Sequence, residues 1–346
     1  MPGEKLLAPS AGIHSRGRLR RVFIRGAIFT SFAIATALCL PTSARAWGCE
    51  GHQVIASLAE KHLTPQALAA VNKILSSSPI DPTLDRYCKE RGTDAMTDAS
   101  TWPDDYRAQH RETGPWHYID VPRGTTIRNL ARNIGKFCDT KEGCVTRAIT
   151  EELAILHSPQ TDPQKKADAL RFLIHFVGDL HQPLHATTNN DQGGNCVPVA
   201  FFDALPQLRN PQTENYAPNL HGVWDTNILA RATKGKTVDQ VAADLDQSFR
   251  KKIIQWEKSP ANFGAWVAES YQLASKNVYG RLPVQISVEN PQAITSCADD
   301  NHVSERMLKL NEQLGEPYQS MAVPIVRQRL AQAGARLAML LNQLWP

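Results

Sequence analysis

Apolar side chains recur at intervals of three or four residues along most of this chain, which is the spacing of one face of an α-helix. Strand patterns are few, and VPVAFF at 197–202 is the best of them. The helical periodicity predicts helices over 53–76, 144–157, 164–181, 222–257, 261–279, 301–314 and 319–343.

Two segments, 79–95 and 281–300, are rich in turn residues and are predicted to be long loops. We see no internal repeat, low-complexity linker or change of composition that would mark a domain boundary. Residues 47–346 are long enough for one large domain or two small ones. The sequence therefore predicts a single all-α domain over residues 47–346.

The first 46 residues have the pattern of an export signal. Basic residues up to Arg25 precede an apolar stretch, and a small-residue cleavage pattern ends at Ala46. The apolar stretch is shorter than the roughly 20 residues that span a bilayer, so no membrane anchor is expected. We predict a signal peptide over 1–46, a mature chain that begins at Trp47, and a secreted or periplasmic protein.

The positive charge of the chain belongs to this leader. The whole sequence has 38 Lys and Arg against 34 Asp and Glu, a formal charge of +4. The leader holds seven of the basic and one of the acidic residues, so 31 and 33 remain and the mature charge is near −2. Composition therefore gives no argument for a basic nucleic-acid-binding surface, and a polyanionic substrate would need metal ions or a local patch.

Six cysteines follow the leader, at positions 49, 88, 138, 144, 196 and 297. An even number in an exported protein predicts disulfides, up to three. Only the pairing of Cys138 with Cys144 is specified, because the short loop between them can bring the two thiols together. A cysteine zinc site is not indicated, since no C-x-x-C occurs.

The segment RFLIHFVGDLHQPLH at 171–185 carries the strongest chemical pattern. His175 and Asp179 are four residues apart, so on a helix an imidazole and a carboxylate project toward one point. His221 and Asp225 repeat this spacing, which is typical of metal ligands. The alternative for one pair alone is a satisfied core histidine, but two pairs together with His185 favour a multinuclear metal site.

Further nitrogen and oxygen ligands lie along the chain, and this ligand set suits zinc. The amine and carbonyl oxygen of Trp47 could chelate an ion once the leader is removed, with His52 on an early helix beside them. The full set of candidate ligands is Trp47, His52, Asp104, His117, His175, Asp179, His185, His221 and Asp225.

These motifs resemble the zinc-dependent, single-strand-specific nucleases and 3′-nucleotidases of the mung bean nuclease type, within the phospholipase C/nuclease superfamily. The resemblance covers essentially the whole mature chain. It is carried by an N-terminal Trp-Gly with His five residues on, TWPDDYR, WHYID, RFLIHFVGD with QPLH, Gly-Gly-Asn and NLHGVWDT.

The resemblance implies an all-helical fold with three zinc ions at the bottom of a cleft. Asp179 would bridge the first two ions. The implied ligand sets are Asp104, His117, His175 and Asp179 for one ion, Trp47, His52 and Asp179 for its neighbour, and His185, His221 and Asp225 for the third.

The same resemblance implies the activity and the residues that act on substrate. Single-stranded DNA and RNA, and 3′-mononucleotides, would be hydrolysed to products with 5′-phosphate. Arg107 would stabilise charge on the phosphate, and Asn195 would hydrogen-bond near the scissile group. The alternatives without a function are that Arg107 is a surface cation and that Gly193-Gly194 is simply a turn. Tyr118 would stack on a base and Asp120 would read its edge.

Some features depart from the family pattern. Gln192 precedes the Gly-Gly pair, where the family pattern implies an apolar residue that would complete the base slot. His181 lies two residues after Asp179, so we expect it to be exposed or at the cleft rim and not a ligand. Cys49 and Cys88 look like local additions, and we expect a disulfide that pins the N-terminus.

Two other functions compete with the nuclease hypothesis. A zinc phospholipase C would share the three-zinc plan, but the gap between Trp47 and His52 is short for that enzyme, and Asp225 stands where it uses Glu. A secreted, non-catalytic zinc-binding protein would have no need of Arg107 or Asn195. We therefore predict a monomeric zinc phosphodiesterase whose partners are its nucleic-acid and nucleotide substrates.

Overall fold

The computed structural model describes residues 47–89, 92–206, 216–289, 297 and 313–346. The predicted signal peptide, 1–46, lies outside these residues. Of the helix predicted at 301–314, residues 301–312 also lie outside the described residues. Its last two residues, Gln313 and Leu314, form a short strand, so that part of the prediction is wrong.

The described part of the chain is mainly helical, and the all-α prediction is confirmed. The longer helices are α1 (Gly48–Glu60), α2 (Pro65–Ser77), α6 (Val145–His157), α7 (Pro163–His181), α10 (Val238–Lys258), α11 (Phe263–Leu273) and α12 (Glu316–Leu344). Short helices between them are α3 (Ala95–Ala99), α4 (Trp102–Arg107), α5 (Leu130–Asn133), α8 (Leu220–Gly222) and α9 (Ile228–Ala232).

Tighter and wider helical turns join several of these elements. The 3₁₀ segments are Arg111–His117, Ile134–Phe137, Pro183–Ala186 and Tyr279–Arg281, and the π segments are Val223–Asn227 and Ala274–Val278. Strand β1 (Ala200–Phe201) pairs in parallel with β2 (Gln313–Leu314), so the predicted strand at 197–202 is present but shorter.

Local start signals divide two of the predicted helices. The helix predicted at 53–76 is two helices, because Thr64 caps α2 by accepting from the Ala67 amide at 3.1 Å and Pro65 opens it. The helix predicted at 222–257 breaks before α10, where Gly235 has a φ of +83°. Thr237 and Gln240 then form a reciprocal capping box that starts the new helix.

Helix α12 is the central element of the core and packs against α1, α7 and α10. Its residues from Leu330 to Leu341 are almost all buried. At Gly334 a Cβ atom would lie 2.3 Å from Leu58 Cδ2 and 3.2 Å from the Ile55 carbonyl oxygen, so only glycine allows α1 and α12 to approach this closely.

Three disulfides join the six cysteines at positions 49 to 297. Cys138 pairs with Cys144, as predicted, and Cys49 pairs with Cys88, which pins the start of α1 as expected. The third pair, Cys196 with Cys297, was left open by the sequence. Among the described residues, none of the helices has the length and apolar character needed to cross a bilayer.

Candidate metal centre

The carboxylate of Asp179 is the hub of the first cluster. It lies on α7 one turn after His175, and both residues are fully buried. His117 Nδ1 lies 2.9 Å from Asp179 Oδ2, His175 Nε2 lies 3.3 Å from the same oxygen, and His52 Nε2 lies 3.3 Å from Oδ1. Asp179 therefore has one oxygen toward His52 and the other toward the remaining two histidines, which is an arrangement suited to a bridging ligand.

Close helix packing brings His52 of α1 to this hub. The rings of His52 and His175 stack with centroids 3.8 Å apart. At Gly178 a Cβ would lie 2.9 Å from His52 Nδ1, so the missing side chain makes room for the imidazole. Asp104 of α4 completes the cluster, with its Oδ1 atom 4.0 Å from His175 Nε2.

A second cluster lies where α7 ends and α8 begins. His221 Nε2 is 3.0 Å from His185 Nε2 and 3.2 Å from Asp225 Oδ2. His185 lies in the 3₁₀ turn after α7, and Asp225 lies in the π turn after α8. Ligand atoms within 4.8 Å of one another form three groups, namely His52, His175 and Asp179, then Asp104, His117 and His175, and then His185, His221 and Asp225.

Backbone carbonyls fix the tautomers of the second cluster. His185 Nδ1 donates to the His117 carbonyl at 2.7 Å, and His221 Nδ1 donates to the Gly193 carbonyl at 2.7 Å. Each Nε2 atom then carries a lone pair, and the two lone pairs face each other across 3.0 Å. A cation between them would turn this repulsion into coordination, so the donor set fits a metal ion.

Buried polar atoms point to the same conclusion. Within the described part of the chain, His117 Nε2, Asp104 Oδ1, Asp179 Oδ1 and Asp225 Oδ2 are buried and make no hydrogen bond. Burying such atoms without a partner costs about 1–3 kcal/mol each, and more for charged groups. A bound cation would offset that cost at the carboxylate oxygens.

Burial also sets the protonation states. It lowers the pKa of His117 and His185 well below the usual range, and lowers that of His221 to about 4. Burial raises the pKa of Asp179 and Asp225 well above the usual range, with Asp104 adding to the shift. The histidines are therefore in the neutral form that coordinates metal, and the carboxylates are stable as anions only beside a positive charge.

Trp47 lies beside the hub. It is fully buried, its φ is +30°, and its Nε1 donates to the Gly178 carbonyl at 2.8 Å. This bond places residue 47 against the turn of α7 that leads into Asp179. That its amine and carbonyl oxygen bind metal remains a prediction.

Arg107 and Tyr118 line an open cleft of about 590 Å³ that also includes Asp104 and Arg111, which we call the catalytic cleft. The Arg107 guanidinium lies 3.6 Å from Asp104 Oδ1, so its charge is held over the first cluster. The alternative that Arg107 is an isolated cation on the surface therefore does not fit its position. An anion in the cleft would contact Arg107 on one side.

The predicted base-binding residues lie beside the catalytic cleft. Tyr118 is 38% exposed, and burial of its hydroxyl end raises its pKa to about 12, so the phenol stays neutral. Asp120 is solvent-accessible, but neighbouring protein atoms exclude water from its carboxyl group. This desolvation, together with the negative charge of Asp191, raises the pKa of Asp120 to about 7. Asp120 can therefore either donate or accept a hydrogen bond near neutral pH.

The Gly-Gly-Asn segment is built around His221. Gly193 and Gly194 have φ of +60° and +88°, and a Cβ at Gly193 would lie 2.6 Å from the Leu184 carbonyl oxygen and 3.3 Å from His221 Nδ1. This turn orients His221, a candidate ligand, so it is more than a plain Gly-Gly turn. Asn195 donates to the Gln192 carbonyl at 2.9 Å, while its own Oδ1 is buried without a hydrogen bond among the described residues.

The predicted exposure of His181 is wrong, whereas the prediction that it is not a ligand agrees with the structure. It is fully buried, its Nδ1 donates to the Val177 carbonyl at 2.7 Å, and its Nε2 accepts from Arg336 at 2.9 Å. Being two residues past Asp179 does turn the ring away from the metal centre, but that side of α7 faces α12 and Trp266 and not solvent. His181 is not one of the candidate ligands.

Gln182 is a site residue that the sequence reasoning missed. It is fully buried, its amide donates to Asp225 Oδ1, and its own oxygen accepts from the Leu184 amide at 2.5 Å. It thereby orients Asp225 toward His221 and shapes the turn that carries His185. The QPLH motif could have predicted this role. Gln182 stands between the candidate ligands Asp179 and His185, and a buried glutamine there needs hydrogen-bond partners for both its NH2 group and its oxygen.

Replacing Gln182 by alanine is expected to weaken metal binding at the His185, His221 and Asp225 group by about 10- to 100-fold. The loss arises because Asp225 is no longer held in place and the Leu184 amide loses its acceptor. A competition titration with a metal-binding dye measures the affinity. Gln255→Ala on the exposed face of α10 is the matched control, and equal affinities in the two variants would contradict the assignment.

Comparison with known proteins finds relatives over the whole described region. A family model described as S1/P1 Nuclease matches residues 47–346. The chain is 30% identical over 345 residues to Endonuclease 4 of Arabidopsis thaliana, covering 94% of this chain and 96% of that protein. It is 27% identical to Nuclease P1 of Penicillium citrinum, over 60% of this chain and 66% of the relative, and 27% identical to Nuclease S1 of Aspergillus oryzae, over 61% and 65%.

Proposed function

Because this chain belongs to the S1/P1 nuclease family, we propose that it is a secreted, zinc-dependent endonuclease that hydrolyses single-stranded DNA and RNA. Membership makes it a nuclease, a hydrolase that acts on phosphodiester bonds, and the names of its relatives agree. The observation that carries the metal part of the proposal is the pair of facing Nε2 atoms on His185 and His221.

Three zinc ions are proposed because the ligand atoms fall into three groups and mix imidazole nitrogen with carboxylate oxygen, as zinc prefers. Asp179 would be shared between the two ions of the first cluster, with Trp47 contributing its amine and carbonyl oxygen. Zinc in these positions would supply Lewis acidity toward the phosphate oxygens and toward an attacking water.

The chain's own residues position the scissile phosphate. Arg107, held 3.6 Å from Asp104, would place its guanidinium against a phosphate oxygen and stabilise the charge that grows there. Asn195 lies in the turn beside His221 and would hydrogen-bond near the scissile group, where its buried Oδ1 can accept from a water or a hydroxyl of the substrate. Displacement of the 3′ oxygen would leave 5′-phosphate on the product, and the same geometry would serve 3′-mononucleotides.

Selectivity for single strands is assigned to Tyr118 and Asp120. An unpaired base exposes both faces of its ring and can stack on the accessible phenol of Tyr118, whereas a paired base has both faces covered by its neighbours. Asp120 would then contact the edge of the stacked base. Because its pKa is about 7, it can present either a carboxylate or a carboxylic acid to that edge near neutral pH.

Export from the cytosol would explain the N-terminal sequence pattern and the three disulfides. We propose that residues 1–46 are removed as a signal peptide, which leaves a mature domain of 47–346 and frees the Trp47 amine. Three disulfides fit an oxidising compartment outside the cytosol, in the periplasm or the medium. The mature protein is proposed to act as a monomer.

The proposal is tested by incubating the mature, zinc-loaded protein with single-stranded and duplex DNA of one sequence. We expect cleavage of the single strand, 5′-phosphate on the products, and loss of activity after chelation that zinc restores. Phosphatidylcholine is the parallel substrate. Release of phosphocholine with intact oligonucleotides would favour a phospholipase, and three bound zinc ions without any hydrolysis would favour a zinc-binding protein.

A further inference from the structure

Helix α4 separates two clefts. Asp104, Arg107 and Arg111 line the catalytic cleft on one side. On the other side lies a second cleft of about 300 Å³, which we call the side cleft, lined by α4, by residues 79–84 and by the first half of α7. The two clefts are therefore about one helix diameter, roughly 10 Å, apart.

A row of aromatic rings forms one wall of the side cleft. Trp102, Tyr106 and His110 follow one another at four-residue intervals. The ring centroids of Trp102 and Tyr106 are 4.5 Å apart, and the His110 imidazole stacks on Tyr106 at 3.8 Å with only 7° between the planes. The His110 side chain is 41% exposed, so the row ends in an accessible flat ring on which another ring can stack.

Polar groups line the opposite wall, on α7. Asp168 accepts from Gln164 at 3.0 Å and from Arg171 at 2.7 Å. Arg171 is 2% exposed, its guanidinium lies 5.3 Å from the Trp102 ring, and its Nε–H is buried without an acceptor among the described residues. Flat rings beside amide, carboxylate and guanidinium groups match the two faces and the polar edge of a nucleobase.

We propose that the side cleft is a second nucleobase subsite, in which a base of the substrate strand stacks on His110 and presents its edge to Gln164, Asp168 and Arg171. The inference rests on the proposed nuclease function and extends it to longer strands. A base fits here better than a phosphate, because Arg171 is already paired with Asp168 and the other charged group of the cleft, Asp81, is acidic.

The two clefts can be occupied by one strand. About three nucleotides at the 3.4 Å rise of a stacked strand cover the ~10 Å between them. Arg107 and Arg111 lie on the catalytic side of α4, where they would meet the intervening phosphates. The subsite therefore predicts that strands long enough to reach it bind more tightly than dinucleotides.

The test compares His110→Ala with the wild type on oligo-dA of increasing length. We expect KM for an octanucleotide to rise about fivefold or more, since stacking on one ring is worth about 1–3 kcal/mol, while KM for a dinucleotide and kcat for both stay unchanged. His110→Trp should lower KM for the octanucleotide alone. His157→Ala, an exposed histidine at the end of α6, is the matched control.

Adenosine binding separates this inference from the proposed function, because adenosine has no phosphodiester to hydrolyse. Calorimetric titration of Tyr118→Ala protein should still show one adenosine bound, and adding His110→Ala should remove it. If His110→Ala changes neither the length dependence nor adenosine binding, the subsite is wrong and the nuclease proposal stands. If Tyr118→Ala protein binds adenosine through His110 but the wild type cleaves no strand, the proposed function fails and the subsite stands.

Discussion

Replacing Asp179 by asparagine is expected to reduce cleavage of single-stranded DNA by at least about 10³-fold. Both oxygens of Asp179 face histidine nitrogens at 2.9–3.3 Å, and an amide can offer only one acceptor and no charge to the same partners. Charge stabilisation by bound metal is worth several kcal/mol, and each 1.36 kcal/mol is a factor of ten in rate. Initial rates and elemental analysis of bound zinc measure the two consequences.

The matched control is Asp162→Asn, at the start of the same helix. Asp162 caps α7 by accepting from the Gln164 amide at 2.9 Å, and asparagine caps equally well, so stability and activity should not change. If Asp179→Asn protein retains activity within tenfold of the wild type, Asp179 does not bridge two ions. Circular dichroism shows whether the variant is folded.

Removing the Cys196–Cys297 disulfide, by replacing both cysteines with alanine, is expected to lower the free energy of unfolding by about 4.7 kcal/mol. The disulfide closes a loop with a sequence separation of 101. A cross-link lowers the conformational entropy of the unfolded chain, and this stabilising effect on the folded state grows with the length of the loop. Cleavage should fall as well, because Cys196 follows Asn195 directly. Urea unfolding followed by tryptophan fluorescence measures the stability.

The other two disulfides provide an internal scale. The same loop-length relation predicts a loss of about 2 kcal/mol of stability when Cys138–Cys144 is removed, since its sequence separation is only 6. It predicts an intermediate loss for Cys49–Cys88, whose separation is 39. A ranking in which the shortest loop contributes most would contradict the loop-closure explanation.

Side-chain periodicity predicted which parts of the chain are helical, because each long helix buries one stripe on a shared core. It did not place the helix ends at Thr64 or Gly235, where a cap or a positive φ overrides an apolar pattern that continues past it. It also missed short helices such as α3 and α4, which have too few turns to show a period.

The grouping of the candidate ligands was predictable because their spacing and the family resemblance agreed, and the structure brings eight of the nine, all but Trp47, into three compact groups. That they bind metal stays a prediction. The surroundings of His181 and Gln182 were not predictable, because they depend on what packs against the end of α7. A helical spacing gives the direction of a side chain, but not whether solvent or another helix lies there. Likewise, Cys196 and Cys297 are too far apart in sequence for their pairing to be inferred.

The ligands of the first cluster come from α1, α4 and α7 and from the turn that carries His117, so no unfolded chain holds them together. Bound metal would therefore stabilise the fold as well as take part in catalysis. Each tenfold rise in free metal above saturation adds about 1.4 kcal/mol of stability per bound ion. If the protein acts outside the cell, as proposed, the supply of metal in its surroundings would set how long each molecule survives heat and proteases.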